Sequence, residues 1–404
     1  MQPLTRRFKA VAAALVLFAM LLVAEGSARA VGPRLPAWQG GGPRGVLMAG
    51  SETRLWTMAE GTFANGRSSA SINSLGLRGL KPPGPRPEAR ERVLVLGDSS
   101  FFGHGIGDDE TIAVALERGL RAAGVDVEVY NGAIPGYSTE QTLLLLDEVG
   151  WQHEPTLLVV GNLWSDNNID AYRDIDLLRS VAAGGGNPLM ASAFVRLSAS
   201  WVDRAAGGTG ARLVTWQRDT GWPTAQDRRV PIQDYAANLD RMVRDARERG
   251  AGVLFVAPVN RGLADGRYDQ GAIWDPYFDA QRQVAAWHGV PVLSARAVLA
   301  ADPSPNAEKF IDVMHPSALG ARLIGAGVAV RLGAEGWPGN DLLGRAEAFD
   351  PRALSDDARS YALPSPRTES AQSMLFPPED AGLAPTTVPA PSPFGDGRDG
   401  VPPR

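Results

Sequence analysis

The chain has 404 residues, of which 44% are apolar and 21% charged, with a formal net charge of −5. That much apolar material supports a large core, and one domain of about 250 residues with attachments is the natural division at this length. A pI near 5.6 without a sustained basic run argues against nucleic acid as the main partner, and the absence of cysteine excludes disulfides, thiol nucleophiles and thiolate zinc sites.

Residues 1–30 read as a signal peptide. Arg6, Arg7 and Lys9 precede an apolar run from Val11 to Ala24, and the small residues end in Ala28-Arg29-Ala30. The run is shorter than the roughly 20 residues that span a bilayer core. Cleavage after Ala30 is therefore expected, leaving an exported chain, periplasmic or secreted, with no membrane span in its mature part. Residues 31–90 are turn-rich and β-like, with Leu55 to Met58 and Ser71 to Asn73 as strands and a Pro-rich linker over Lys81 to Pro87.

From Arg92 the pattern becomes strand, helix, strand. Val93 to Leu96 is an apolar run stopped by Gly97, as a strand buried on both faces should be. Thr111 caps a helix whose Ile112, Leu116 and Leu120 share a face, and Gly124 ends it. Val125 to Tyr130 is the second strand, and Ser138 with Gln141 has capping-box spacing for the next helix. Leu157 to Val160 and Val253 to Ala257 are the third and fourth strands, separated by an insertion over about 167–230 in which Met190, Phe194, Leu197 and Trp201 share a helical face. Helices follow over Tyr235 to Ala246, from Asp275 to His288, and from Ser317 to Leu332, with Val290 to Leu293 as the fifth strand between the last two. This order predicts an α/β fold, a three-layer parallel sheet of flavodoxin-like type with a small N-terminal β-extension. The domain is expected over 91–335. The Pro-rich stretch 336–404 is expected to be a disordered tail, since it holds little apolar material to offset its ordering entropy.

Ligands meet such sheets in the crevice beyond the carboxyl ends of the strands. The loops there carry Gly97-Asp98-Ser99-Ser100, Asn131 to Gly136, Gly161 to Asp166, and Asp312 to His315. A serine hydroxyl needs a base held in the right tautomer, and Asp312 with His315 supplies one within a single loop. The developing oxyanion then needs donors: the amides of Ser99 and Gly136, and a side chain from the third loop. His104, in Gly103-His104-Gly105, reads more readily as an exposed turn than as a substrate contact. His288 reads as a helix-end residue, His153 as a loop residue, and Trp164 as packing rather than a sugar platform. Four histidines so scattered do not make a metal site. The Gly103-x-Gly105-x-Gly107 spacing lies away from the strand end, and Tyr130-Asn131 lacks the acidic residue a ribose would require, so dinucleotide binding is not expected.

These blocks resemble the SGNH (GDSL-like) hydrolase family over roughly 90–332, and Asn73 to Gly79 is similar to a segment found ahead of the catalytic domain in some bacterial members. The resemblance implies Ser99 as nucleophile, His315 as base, Asp312 as its orienting partner and Gly136 as an oxyanion donor. One block departs from the family: Ser165-Asp166 stands where Asn-Asp is usual. The third donor is therefore Ser165, or else Asn162 or Asn167. The implied function is an exported serine esterase acting on an acyl ester or O-acylated glycan through an acyl-enzyme, without a cofactor. The alternatives are an O-acetyltransferase using the same residues and a noncatalytic envelope-binding or assembly module. The oligomeric state is not implied.

Overall fold

The computed structural model describes residues 6–31, 48–182 apart from 52, 66–67, 80–83, 85, 88–89 and 171–172, then 194, 195 and 198, and 227–354 apart from 268–273. Most of the expected linker, most of the 183–226 stretch with Met190, Leu197 and Trp201, and the tail from 355 onward lie outside the described residues.

Five strands form one parallel sheet: β5 (Glu91–Leu96), β6 (Val127–Asn131), β7 (Leu157–Val160), β10 (Gly252–Ala257) and β11 (Val292–Ser294). Their spatial order is β11-β10-β7-β5-β6. Taken as five consecutive core strands this is order 2-1-3-4-5, whose topological switch lies between β5 and β7. The continuous apolar runs have a direct cause, because Val93 to Leu96 and Leu157 to Val160 are buried from both sides.

Helices α3 (Ile112–Ala122) and α9 (Ala318–Ala334) pack together, as do α4 (Thr139–Glu148), α7 (Ile232–Glu248) and α8 (Asp275–His288), the short α2 (Ser99–Phe102), α5 (Trp164–Asn167) and α6 (Asp174–Ala182) lying at the loop ends. The expected cap forms at Thr111, which accepts from the Val114 amide, and Ser317 also caps its helix by accepting from the Gly320 amide, each at 3.3 Å. At α4 the Gln141 side chain accepts from the Ser138 amide at 3.3 Å. Close approach requires glycine at Gly161, where a Cβ would lie 2.1 Å from the Phe101 ring.

Ahead of the sheet, β1 (Met48–Ser51) and β2 (Leu55–Met58) form one antiparallel hairpin, and β3 (Gly61–Asn65) and β4 (Ser68–Ile72) another. The extension is tied to the main sheet at its β6 edge, where the Arg78 amide donates to the Asn131 carbonyl at 3.2 Å. The buried Arg78 guanidinium donates to the carbonyls of Phe102, Gly103, Ile106 and Ser69, and pairs with Asp108 at 3.0 Å. It thereby fixes the loop that follows the first core strand. At the chain start, α1 (Arg6–Val31) leaves Leu15 to Leu17 and Leu21 to Val23 exposed rather than in the core.

The α/β domain runs past the expected end at 335. Trp337, Leu342, Phe349 and Leu354 are buried, the Phe349 amide donates to Asp240 at 2.6 Å, and the Arg345 carbonyl meets His288 Nδ1 at 3.0 Å. Composition misplaced this boundary because a few well-spaced apolar anchors suffice to dock a polar segment. His288 is likewise more than a helix-end residue. It is buried, and its Nε2 meets Asp240 at 2.9 Å, joining α7, α8 and the docked segment.

Candidate active site

Ser99 opens α2 directly after β5, beside the switch between β5 and β7. Asp98 caps this turn, its buried carboxylate accepting from the Ser100 amide at 3.0 Å. Burial raises the pKa of Asp98 against this hydrogen bond. Ser100 is therefore the donor in the cap, and its residue is buried rather than competing for substrate.

Asp312 and His315 come from the loop before α9. The two-residue spacing lets the segment curl, so that Asp312 Oδ1 accepts from the amides of Met314 and His315, each at 2.7 Å. The other oxygen meets His315 Nδ1 at 2.7 Å, and His315 Nε2 lies 2.9 Å from Ser99 Oγ. With Nδ1–H donating to the carboxylate, the Nε2 lone pair faces the serine hydroxyl. Burial opposes ionisation of Asp312, but the bonds and charge of His315 and the two amides outweigh it and hold its pKa down to about 2. The partner of the imidazole is thus an anion throughout the neutral range.

Gly136 lies in the loop after β6, with φ +78°, the left-handed region open to glycine. Its carbonyl accepts from Arg229 Nη1 at 2.9 Å. The same guanidinium donates to Gln141 at 3.0 Å and makes a fork to both oxygens of the buried Asp174, at 2.9 and 2.7 Å. Arg229 reaches this position because the ends of the insertion meet, β8 (Ile169–Asp170) pairing antiparallel with β9 (Asp227–Arg228).

In the third loop, the Asn162 amide is committed to the Tyr137 carbonyl at 3.3 Å and Thr142 Oγ1 at 3.0 Å. Asn167 donates back to the Leu163 carbonyl at 3.2 Å. Of the three side chains considered for the third donor, Asn162 makes two hydrogen bonds through its amide nitrogen and Asn167 one, and Ser165 stands at the aligned position. Asp166 is fully buried, accepting from the amide and hydroxyl of Thr139 at 2.8 and 2.6 Å. Burial pushes its pKa up to about 8 and stitches the third loop to the start of α4. Trp164 is buried and meets Trp274 and Phe278 edge-on, which is packing.

One residue was misread from the sequence and two escaped it. His104 is no free turn residue: its ring lies 4.5 Å from that of His315, tilted by 35°. Trp56 and Arg229 both grip the Gly136 loop, yet neither carries a local spacing signal, since each meets its target through chain closure over long separations. The His104 pKa is lowered from 6.5 to about 4, first by burial and then by the neighbouring His315 charge. The unfolded ring takes a proton below about pH 6.5 and the folded one only below about 4. Stability is therefore full above 6.5 and declines as pH falls toward 4. At about 1.36 kcal/mol per unit, roughly 2 kcal/mol is lost between pH 7 and pH 5 through this ring. His104→Gln is expected to flatten that part of the pH dependence, and denaturant midpoints of both proteins at pH 7 and pH 5 check it.

A serine, imidazole and carboxylate in line on the carboxyl rim of a 2-1-3-4-5 parallel sheet define the class, an α/β protein built around a hydroxyl and its base. Residues 219–323 match the model of the GDSL-like Lipase/Acylhydrolase family, a stretch that contains Asp312 and His315. Over that stretch the chain is similar to the GDSL-like, or SGNH, hydrolases. An arylesterase from Vibrio mimicus is 36% identical over 73 residues, covering 18% of this chain and 36% of that protein, so the match spans little more than a third of the curated relative. Among solved structures, the lipase/acylhydrolase from Enterococcus faecalis is similar at 15% identity and a TM-score of 0.39, covering 64% of this chain and 100% of the other. Axe2, an acetylxylan esterase from Geobacillus stearothermophilus, is similar at 14% identity and a TM-score of 0.39, covering 60% and 94%.

Proposed function

We propose that the protein is an exported serine esterase that hydrolyses acyl esters through a covalent acyl-enzyme. The observation that carries this reading is the unbroken line from Asp312 through His315 to Ser99, at 2.7 and 2.9 Å. Ser99 Oγ attacks the ester carbonyl carbon while its proton passes to His315 Nε2, and the carbonyl oxygen becomes an oxyanion facing the amides of Ser99 and Gly136. Collapse breaks the bond to the alcohol oxygen, which takes the proton from His315. Water then repeats the cycle on the acyl-serine, its proton going to His315 and returning to Ser99 Oγ as the carboxylic acid leaves. Asp312 stays ionised and stabilises the imidazolium formed in each half.

Export is supported by the basic start at Arg6 and Arg7 and by an apolar α1 whose Leu15 to Leu17 and Leu21 to Val23 are exposed. Export would bring the enzyme to envelope or extracellular glycans, and their O-acetyl groups are the substrate class we assign to it. The test uses intact protein with a short-chain aryl ester, O-acetylated glycans and a fluorophosphonate. Turnover and a phosphonyl adduct mapped to the peptide containing Ser99 support the reading. Folded protein that neither labels nor turns over any of these esters overturns it.

A further inference from the structure

Resting on the esterase reading, we propose that Trp56, from the N-terminal β-extension, is a positioning residue that aims the Gly136 amide at the oxyanion. Trp56 Nε1 donates to the Pro135 carbonyl at 3.1 Å across a separation of 79 residues. The Pro135 carbonyl and the Gly136 N–H belong to one peptide unit. In a trans peptide these two groups point in opposite directions within one plane. Holding the carbonyl toward the indole therefore turns the N–H away from the extension, and a hydrogen bond at the oxygen also polarises the N–H as a donor.

Other contacts make this grip specific. The Tyr137 hydroxyl donates to the Trp56 carbonyl, and the Trp56 and Tyr137 rings meet edge-on at 5.7 Å. A Cβ at residue 136 would lie 3.2 Å from Trp56 Cζ2, so the indole packs against the glycine itself. The next peptide unit is held independently, its carbonyl by Arg229 and its amide by the Ile134 carbonyl at 3.1 Å. With φ at +78° a residue at 136 has few steric restraints of its own if it is glycine. Both flanking peptide planes must then be set from outside, one by the insertion and one by the extension. The hairpin that precedes the α/β domain is by this account part of the oxyanion apparatus rather than an appendage.

The experiment compares wild type, Ser99→Ala and Trp56→Phe on an aryl ester, and repeats the comparison with 3-benzothienylalanine at position 56, which keeps the bicyclic shape and lacks the N–H. Removing an oxyanion donor costs about 10² to 10³ in kcat, and a donor left in place but no longer aimed should forfeit a part of that, about 10-fold. Both replacements are expected to lower kcat by that factor with KM held within about two-fold, since the interaction is made only with the transition state. Affinity for an aryl trifluoromethyl ketone, whose serine adduct carries the oxyanion, should fall by the same factor as kcat/KM. Unchanged kcat in a protein whose turnover depends on Ser99, or an effect confined to KM, overturns the inference and leaves the esterase reading standing. Wild-type protein without turnover or labelling overturns both.

Discussion

Replacement of His315 by alanine is expected to lower kcat for an aryl ester by about 10⁴-fold or more, with the fold intact, because removing one member of a serine triad costs nearly as much as removing all. His315 is only partly buried, and its side chain bonds Asp312 and Ser99 but no core group, so its loss leaves no buried polar group stranded. Asp312→Asn is a sharper probe of mechanism. An asparagine that still accepts the amides of Met314 and His315 through its oxygen turns its NH₂ toward His315 Nδ1. That donor selects the tautomer with the proton on Nε2, which can no longer take one from Ser99, and a loss of about 10² to 10⁴ in kcat follows. Fluorophosphonate labelling should slow by similar factors in both variants, with unfolding midpoints near wild type. Full turnover in His315→Ala would exclude His315 as the base.

The second large effect is on stability. Arg229→Ala removes the cation that forks onto Asp174, whose side chain is 0% exposed, and leaves that carboxylate buried without its partner. Breaking such a pair from one side costs about 3 to 5 kcal/mol. It also frees the Gly136 carbonyl and leaves Gln141 Oε1 to the Ser138 amide, both oxygens being hydrogen-bonded to the same guanidinium in the wild type. A lower denaturant midpoint with an unchanged slope is the expected result, accompanied by reduced kcat in the protein that remains folded. Arg229→Lys should recover the charge but not the fork, because one ammonium cannot serve two carboxylate oxygens, a carbonyl and an amide oxygen in the same planar geometry. It is therefore expected to lie between wild type and alanine. Equal stability of all three proteins would show that Asp174 finds other partners.

Seen beside these networks, the parts of the site that could be read from residue order share one property, locality. Asp312 and His315 sit three apart on one loop, and Ser99 follows a buried apolar run directly, so strand-end logic places each on the same rim. Gly136 stood out because a glycine in a loop after a strand marks unusual backbone angles, and its φ is +78°. The candidates of the third loop did not separate by residue type, since Asn162, Ser165 and Asn167 look alike until the partners of the asparagine side chains are in view.

Periodicity and breakers were enough to specify an α/β chain with its main strands and helix caps, because each of those signals acts within a few residues. Strand order, the closure of the insertion that carries Arg229 to Gly136, and the reach of Trp56 to Pro135 arise from contacts between residues far apart in the chain. Such contacts leave no imprint on local spacing: a buried arginine or tryptophan with a partner dozens of residues away is written in the same letters as a solvated one. The docking of 336–354 and the stacking of His104 on His315 belong to the same kind. Which surfaces meet is settled by the packing of the whole domain, where burial makes each unpaired polar group too costly to leave alone.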